Sequence, residues 1–354
     1  MLTSLNAAAA GLAAAMTLSA AGLAKAGETC TSAPGGAGPA RAAAATFLAT
    51  LTPEQRTLVV RPFGKSDAVR WSNLPLRFVP RLGIRLGDLS ASQTAAADRV
   101  VRAALSSCGA NLLDGVRAAD GVLKPLDKSA IGWDSANYFI AFIGEPSKDR
   151  PWSLKVDGHH LAYNITFNAP QVSGTPLFDG VEPVAFKVGG QDYEPLADQA
   201  GAMRALSAAL VALPGVKLEG EFRDVTRGPT LQGDANFPIT YPLGENGRGV
   251  AYATLTTAQK ALVRSAMQQW VELPNAAISR PLMAEYLKST ALAQTWVGIA
   301  GSADLSTPGS YVRIDGPRVW IEFVVQAAVA DKTMIHYHTL WRDKVADYGG
   351  AFAH

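Results

Sequence analysis

The amino-acid sequence predicts an α+β fold in one large domain, and three observations carry that expectation. Segments with helical periodicity come first, strand-like runs follow, helices return, and a strand cluster closes the chain. This order lacks the regular strand–helix alternation of a doubly wound sheet. Of 354 residues, 48% are hydrophobic, enough apolar material for a large core. The Gly/Pro/Asn-rich stretch from Gly228 to Gly249 reads as an excursion within one domain, because the histidine-bearing strands on either side of it are expected to share a sheet. The helices should flank a mostly antiparallel or mixed sheet.

The first 26 residues read as a Sec-type secretory signal, an Ala/Leu-rich stretch ending in Ala24-Lys25-Ala26 with small residues at both required positions, although no basic residue precedes it. Its high alanine content favours a removed peptide over stable membrane insertion, and export would place the chain in the periplasm or outside the cell. Residues 27–44 begin Gly/Pro/Ser-rich and read as a flexible leader, with the folded domain spanning 45–354. In an oxidising compartment the two cysteines, Cys30 and Cys108, would pair. In the chain-entropy account a loop of that length stabilises by about 4 kcal/mol.

Helix starts are marked three times by the same device. In Thr52-Pro53-Glu54-Gln55, Ser90-Ala91-Ser92-Gln93 and Thr256-Thr257-Ala258-Gln259 a hydroxyl can cap the helix while a Gln three positions on reaches back to the cap's own N–H. Apolar residues at helical spacing follow over about 93–107 (Ala97, Val100, Val101, Leu105) and 257–271 (Leu262, Met267, Trp270, Val271). Further helices are expected near 110–124, 198–212 and 281–293. Strand-like runs lie at 138–143, 152–167, 184–188, 311–314, 319–325 and 334–341.

Thirty-two basic against 30 acidic residues give a formal charge of +2, which offers little attraction to polyanions and argues against a nucleic-acid partner. The densest basic stretch, Arg56 to Arg85, holds six Arg and one Lys against Asp67 alone, interleaved with apolar residues as on a solvated amphipathic face. The expected partner is a small-molecule substrate or ligand.

Chemistry concentrates in the five histidines. His336 and His338 are i and i+2, so on a strand they project from one face as a chelating pair, with Tyr337 and Thr339 on the other. His159 and His160 are adjacent, so a regular strand would split them between faces, unless Gly158 permits a bulge or bend. Ala162, Asn164 and Thr166 continue the more polar face of His160, which makes it the better ligand and leaves His159 as a candidate structural residue. Imidazole suits zinc, copper and iron, and three nitrogens from two strands leave room for water or substrate.

Glu322 or His159 is a candidate fourth ligand. Arg342 is a candidate for holding an anionic group, and Asp343 or Asp347 for orienting a ring. Hydrolysis by a metal-activated water is the simplest reaction for such a centre. Copper or iron redox chemistry, a non-catalytic metal or ligand binder, a metal-free histidine base and a purely structural set of core histidines are the alternatives. No H-E-x-x-H, P-loop or G-x-S-x-G is present.

Several local motifs together carry a family resemblance. They are Gly144-Glu145-Pro146, Gly158-His159-His160-Leu161, Thr175-Pro176-Leu177-Phe178 with Glu182-Pro183, Gly316-Pro317 with Glu322-Phe323, and His336-x-His338 followed by Trp341-Arg342-Asp343 and Asp347-Tyr348-Gly349. In these the chain resembles the DUF3500 family from about residue 45 to its C-terminus. The resemblance groups the residues and implies no particular reaction.

Overall fold

The computed structural model describes residues 29–32, 36–128, 130–169, 171–225 and 234–352. The expected signal peptide and His354 lie outside them. In chain order the helices are α1 Ala37–Ala49, α2 Pro53–Val59, α3 Lys65–Ala68, α4 Ala91–Ala104, α5 Ser107–Leu123, α6 Ala197–Leu210, α7 Thr257–Val271, α8 Ala276–Tyr286 and α9 Ser289–Ala293. The first nine strands are β1 Val60–Arg61, β2 Ile84–Arg85, β3 Phe139–Ile143, β4 Trp152–Gly158, β5 Leu161–Asn168, β6 Gln171–Ser173, β7 Leu177–Val181, β8 Phe186–Val188 and β9 Gln191–Tyr193. The last five are β10 Val250–Ala251, β11 Trp296–Ala300, β12 Tyr311–Asp315, β13 Val319–Ala327 and β14 Ile335–Asp343.

The strands form a mixed sheet in the order β1-β3-β4-β5-β7-β14-β13-β12-β11-β10, with β2 beside β3 and β6 beside β5. Among the described strands only the β1–β3 pair is parallel. The fold is therefore α+β, as expected. Strand β14, the last in the chain, sits between β7 from the middle and β13. Long-range pairing thus brings the two histidine clusters into one sheet.

The two faces of the sheet differ because side chains alternate along each strand. One face is apolar: Tyr163 and Ile165 of β5 and Ile321 and Phe323 of β13 share a core with Phe47, Val116 and Trp270 from the helices. Each such fully buried side chain contributes roughly 1.5–3 kcal/mol relative to exposure. The other face carries Lys155, Asn164, Glu322, His336, His338 and Arg342, all buried. Irregular chain covers it. Trp71, Leu218, Phe222 and Val225 pack on Phe178, Val324 and Leu340, while Val69 and Phe237 pack with Ile143 and Tyr348.

Burying so many polar groups is tolerable only where each finds a partner. Lys155 Nζ donates to Ala68 O at 2.8 Å and Asn164 Oδ1 at 2.6 Å. Arg81 Nε donates to Asp157 Oδ1 at 2.7 Å.

All three capping boxes form, at Thr52, Ser90 and Thr256. Cys30 and Cys108 are disulfide-bonded across 78 positions. Beside the bridge Ser107 N donates to Thr31 O at 2.7 Å, so the N-terminal segment is fastened to the start of α5. No helix among the described residues is long and apolar enough to cross a membrane.

Four expectations change. The span 281–293 holds the end of α8 and the separate helix α9 in place of one helix. The run 152–167 is two strands, with His159 and His160 in the turn between them; β-branched and aromatic residues on both sides hide the break. Helix α1 begins at Ala37, within the stretch read as leader, because Ala40 and Ala44 are small enough to bury one helical face together with Phe47 and Leu48. The segment near 184–188 yields β8, which pairs with β9 in a separate two-stranded sheet.

Candidate metal centre

Gly158 pairs with Leu161 across the β4–β5 hairpin, leaving His159 and His160 as a two-residue turn. His160 adopts φ 58°, in the left-handed region that few side chains enter without support. The support comes from both backbone groups: its N–H donates to Asn73 O at 3.1 Å, and its carbonyl accepts from Gly180 N at 2.7 Å. Glycine is required at 158 because a Cβ there would lie 2.4 Å from the Tyr138 ring. The turn thus does what a bulge was expected to do, bringing the two imidazoles together. Their centroids are 3.7 Å apart and the planes 25° from parallel.

Strand alternation puts His336 and His338 on the polar face, and their Nε2 atoms are 3.2 Å apart. His338 stands opposite Gly180 in β7, and β7 separates β14 from the β5 hairpin. A Cβ at position 180 would meet His338 Cδ2 at 2.8 Å and His160 Cδ2 at 3.0 Å. The missing side chain is the space in which the rings converge. Ligand atoms of His160, His336 and His338 all lie within 4.8 Å of one another, and all three residues are buried.

Burial favours the neutral form of His160 and His336. Burial, followed by the charges that His159, His338 and His336 would carry, holds His160 well below the usual imidazole range. Burial, then His338 and His159, push His336 down to about 2. Neutral imidazole is the metal-binding form. His338 Nδ1 donates to Asp224 Oδ1 at 2.8 Å, so its Nε2 presents a lone pair toward His336. The Nδ1 of His336 makes no hydrogen bond, and the charged group beside it, Glu182 Oε2 at 3.7 Å, is an acceptor. That setting favours a proton on Nδ1 and a second lone pair at Nε2. At 3.2 Å the two Nε2 atoms are within hydrogen-bonding distance, and a metal ion bound by both would take the place of a proton between them. Two nitrogens bound tetrahedrally to zinc at its usual bond length are about 3.3 Å apart, close to the observed separation. The residues present therefore fit a metal ion.

The other sequence-predicted residues are placed differently. His159 is turned to the protein: its Nδ1 is 2.7 Å from Asp120 Oδ1, and Tyr138 OH donates to Asp120 Oδ2 at 3.0 Å. It buttresses His160 by stacking and is not one of the three converging histidines. Glu322 is on the same sheet face but accepts from Tyr311 OH at 2.6 Å and Trp320 Nε1 at 2.8 Å, outside the histidine group.

Arg342 lies four residues beyond His338 along β14, about 13 Å at the rise of a strand. Its guanidinium is fully buried and donates to Asp234 Oδ2 at 2.7 Å and Asp347 Oδ2 at 2.8 Å. Asp347, raised to about 6 by burial and lowered in part by Arg342, also accepts from Asp343 N at 3.0 Å. Asp343 Oδ2 accepts from Tyr286 OH at 2.9 Å and Arg318 Nη2 at 2.7 Å. Arg342 and Asp347 form an ion pair, and Asp343 joins them through its backbone N–H while its carboxylate pairs with Arg318; none of these partners is a histidine. An Arg342 held by two carboxylates has little to offer an anionic substrate.

Sequence reasoning missed Asp224, Gln326, Asn73 and Gly180. Gln326 was the most accessible of these, being two positions beyond Val324 on the His-facing side of β13. Asp224 and Asn73 lie in irregular segments where no periodicity points to a partner. No curated protein and no solved structure matches the chain. One family model, described as "Protein of unknown function (DUF3500)", matches residues 36–350.

Proposed function

The chain belongs to the DUF3500 family of unknown function, and from its own residues we propose that it is an exported protein built around a mononuclear metal centre. Its ligands are His160, His336 and His338. The observation that carries the reading is the convergence of three buried imidazoles from the β4–β5 turn and β14 beside a glycine whose side chain would fill the same space. Imidazole-only ligation suits zinc, copper or iron. Three protein ligands leave a coordination position for water or a small molecule, and a bound metal supplies Lewis acidity toward it.

We place metal-assisted hydrolysis of a small-molecule substrate first among reactions. The chain's own part would be to present neutral nitrogens and to hold His338 by Asp224 and His160 by the Asn73 and Gly180 backbone. The disulfide agrees with an oxidising compartment and with export.

The test is elemental analysis of protein purified without added metal or chelator, then reloaded with Zn2+ or Cu2+. The parent should bind close to one equivalent, while His336→Ala and His338→Ala should lose it with the fold retained. Stoichiometry unchanged in both variants sinks the centre. Turnover of pooled ester and amide substrates by the loaded parent alone would support the hydrolytic reading over simple metal binding.

A further inference from the structure

Three polar groups crowd the single atom His338 Nδ1: Asp224 Oδ1 at 2.8 Å, Gln326 Nε2 at 3.0 Å and Asn73 Nδ2 at 3.5 Å. They ask for opposite things. A carboxylate oxygen only accepts, so it holds a proton on Nδ1 and leaves the Nε2 lone pair to the metal. In the orientation seen here each amide presents its NH2, which donates, and so calls for a lone pair on Nδ1 and sends the proton to Nε2, where it would block coordination. Neutral imidazole satisfies one or the other.

We propose that Asp224 is the positioning residue that makes His338 competent to bind metal, and that Gln326 is the group that would select the opposite tautomer in its place. This rests on the metal-centre reading above and deepens it. Asp224 Oδ1 is itself aimed by Val225 N, which donates to it at 2.7 Å. Gln326, by contrast, belongs to the sheet, opposite His336 in β13. The tautomer of a ligand on the sheet is thereby set from a covering loop. Asp224 is also the most open member of the constellation, with its side chain 47% exposed against 6% for His338, so its replacement leaves the core intact.

The prediction separates tautomer selection from loop packing. Outer partners of metal-bound histidines typically influence affinity by about 10–100-fold. Asp224→Ala should weaken Zn2+ binding by that order in a chelator competition, as Gln326 takes over Nδ1. Adding Gln326→Glu to Asp224→Ala puts a carboxylate on β13 within reach of the same atom and should restore most of the affinity. In metal-free protein, 15N NMR of the His338 ring should show Nδ1–H in the parent and the double variant and Nε2–H in Asp224→Ala.

An unchanged tautomer in Asp224→Ala overturns the proposal, and so does a loss of affinity that Gln326→Glu fails to rescue. If the parent itself takes up no zinc, the metal-centre reading falls, and the metal-free NMR measurement alone decides this inference.

Discussion

Asp179, one position before the glycine that makes room for the imidazoles, shows how much a single buried carboxyl can weigh on this molecule. It points to the helix-covered face, accepts from Tyr163 OH at 2.7 Å, and has a second oxygen with no hydrogen-bond partner. Burial pushes it up to about 7 from the ordinary 3.8, with Tyr163 opposing. Because the folded form holds its proton more tightly than the unfolded chain, the associated stability is complete below about pH 4 and is lost as pH rises through about 7. At 1.36 kcal/mol per pH unit the span is about 4 kcal/mol. Asp179→Asn should therefore be more stable than the parent at pH 8, and the two should converge near pH 4, as read from urea midpoints at each pH. Equal midpoints at pH 8 would show that the ionised carboxyl is accommodated without cost.

At the scale of elements, the β4–β5 hairpin makes the clearest commitment. A non-glycine residue at the left-handed φ of His160 costs roughly 1–2 kcal/mol, and glycine at that position would relieve it at an entropic cost of about 0.5–1 kcal/mol. His160→Gly should therefore keep the metal-free midpoint within about 1 kcal/mol of the parent while losing bound metal. Thermal melts in chelator, with elemental analysis alongside, check both halves. A collapse of the melt in chelator would instead make the ring a packing element.

The same hairpin marks where the sequence stops being legible. His336 and His338 could be placed on one face because i, i+2 spacing is a local property of any strand. The preference for His160 over His159 rested on the polarity of Ala162, Asn164 and Thr166, and that alternation does hold along β5. The turn was hidden because neither histidine is a usual turn former and apolar strand residues flank both. Glu322 and Arg342 share the polar face of the histidines, yet sharing a face does not mean sharing a centre. Glu322 is held by Tyr311 and Trp320, and Arg342 by Asp234 and Asp347. Those partners come from distant segments that no spacing rule connects. Asp224 was out of reach for the same reason.

Across the whole molecule, the succession of helix-rich and strand-rich regions was legible because most elements carry their own periodicity and caps, but β7 and β11, each only five residues long, were missed. The strand order was not legible, since it depends on pairing between distant segments, above all the insertion of β14 beside β7. The disulfide belongs to this scale too. It closes a loop of 78 positions that contains α1, α2, α3 and α4, and its removal frees that loop in the unfolded chain. Cys108→Ser should lower unfolding stability by about 4–5 kcal/mol in the chain-entropy account. Denaturant titration of the variant beside the reduced parent checks it, and matching curves for variant and oxidised parent would contradict it.

The position of β14 also bears on the order of biosynthesis. A ribosome delivers His160 long before it delivers His336 and His338, so a partly made chain holds one of the three proposed ligands and no chelating pair. If the chain is threaded through a membrane before it folds, the pair can close on its ion only on the far side. The metal pool sampled there, and not that of the compartment of synthesis, would then decide what the protein carries.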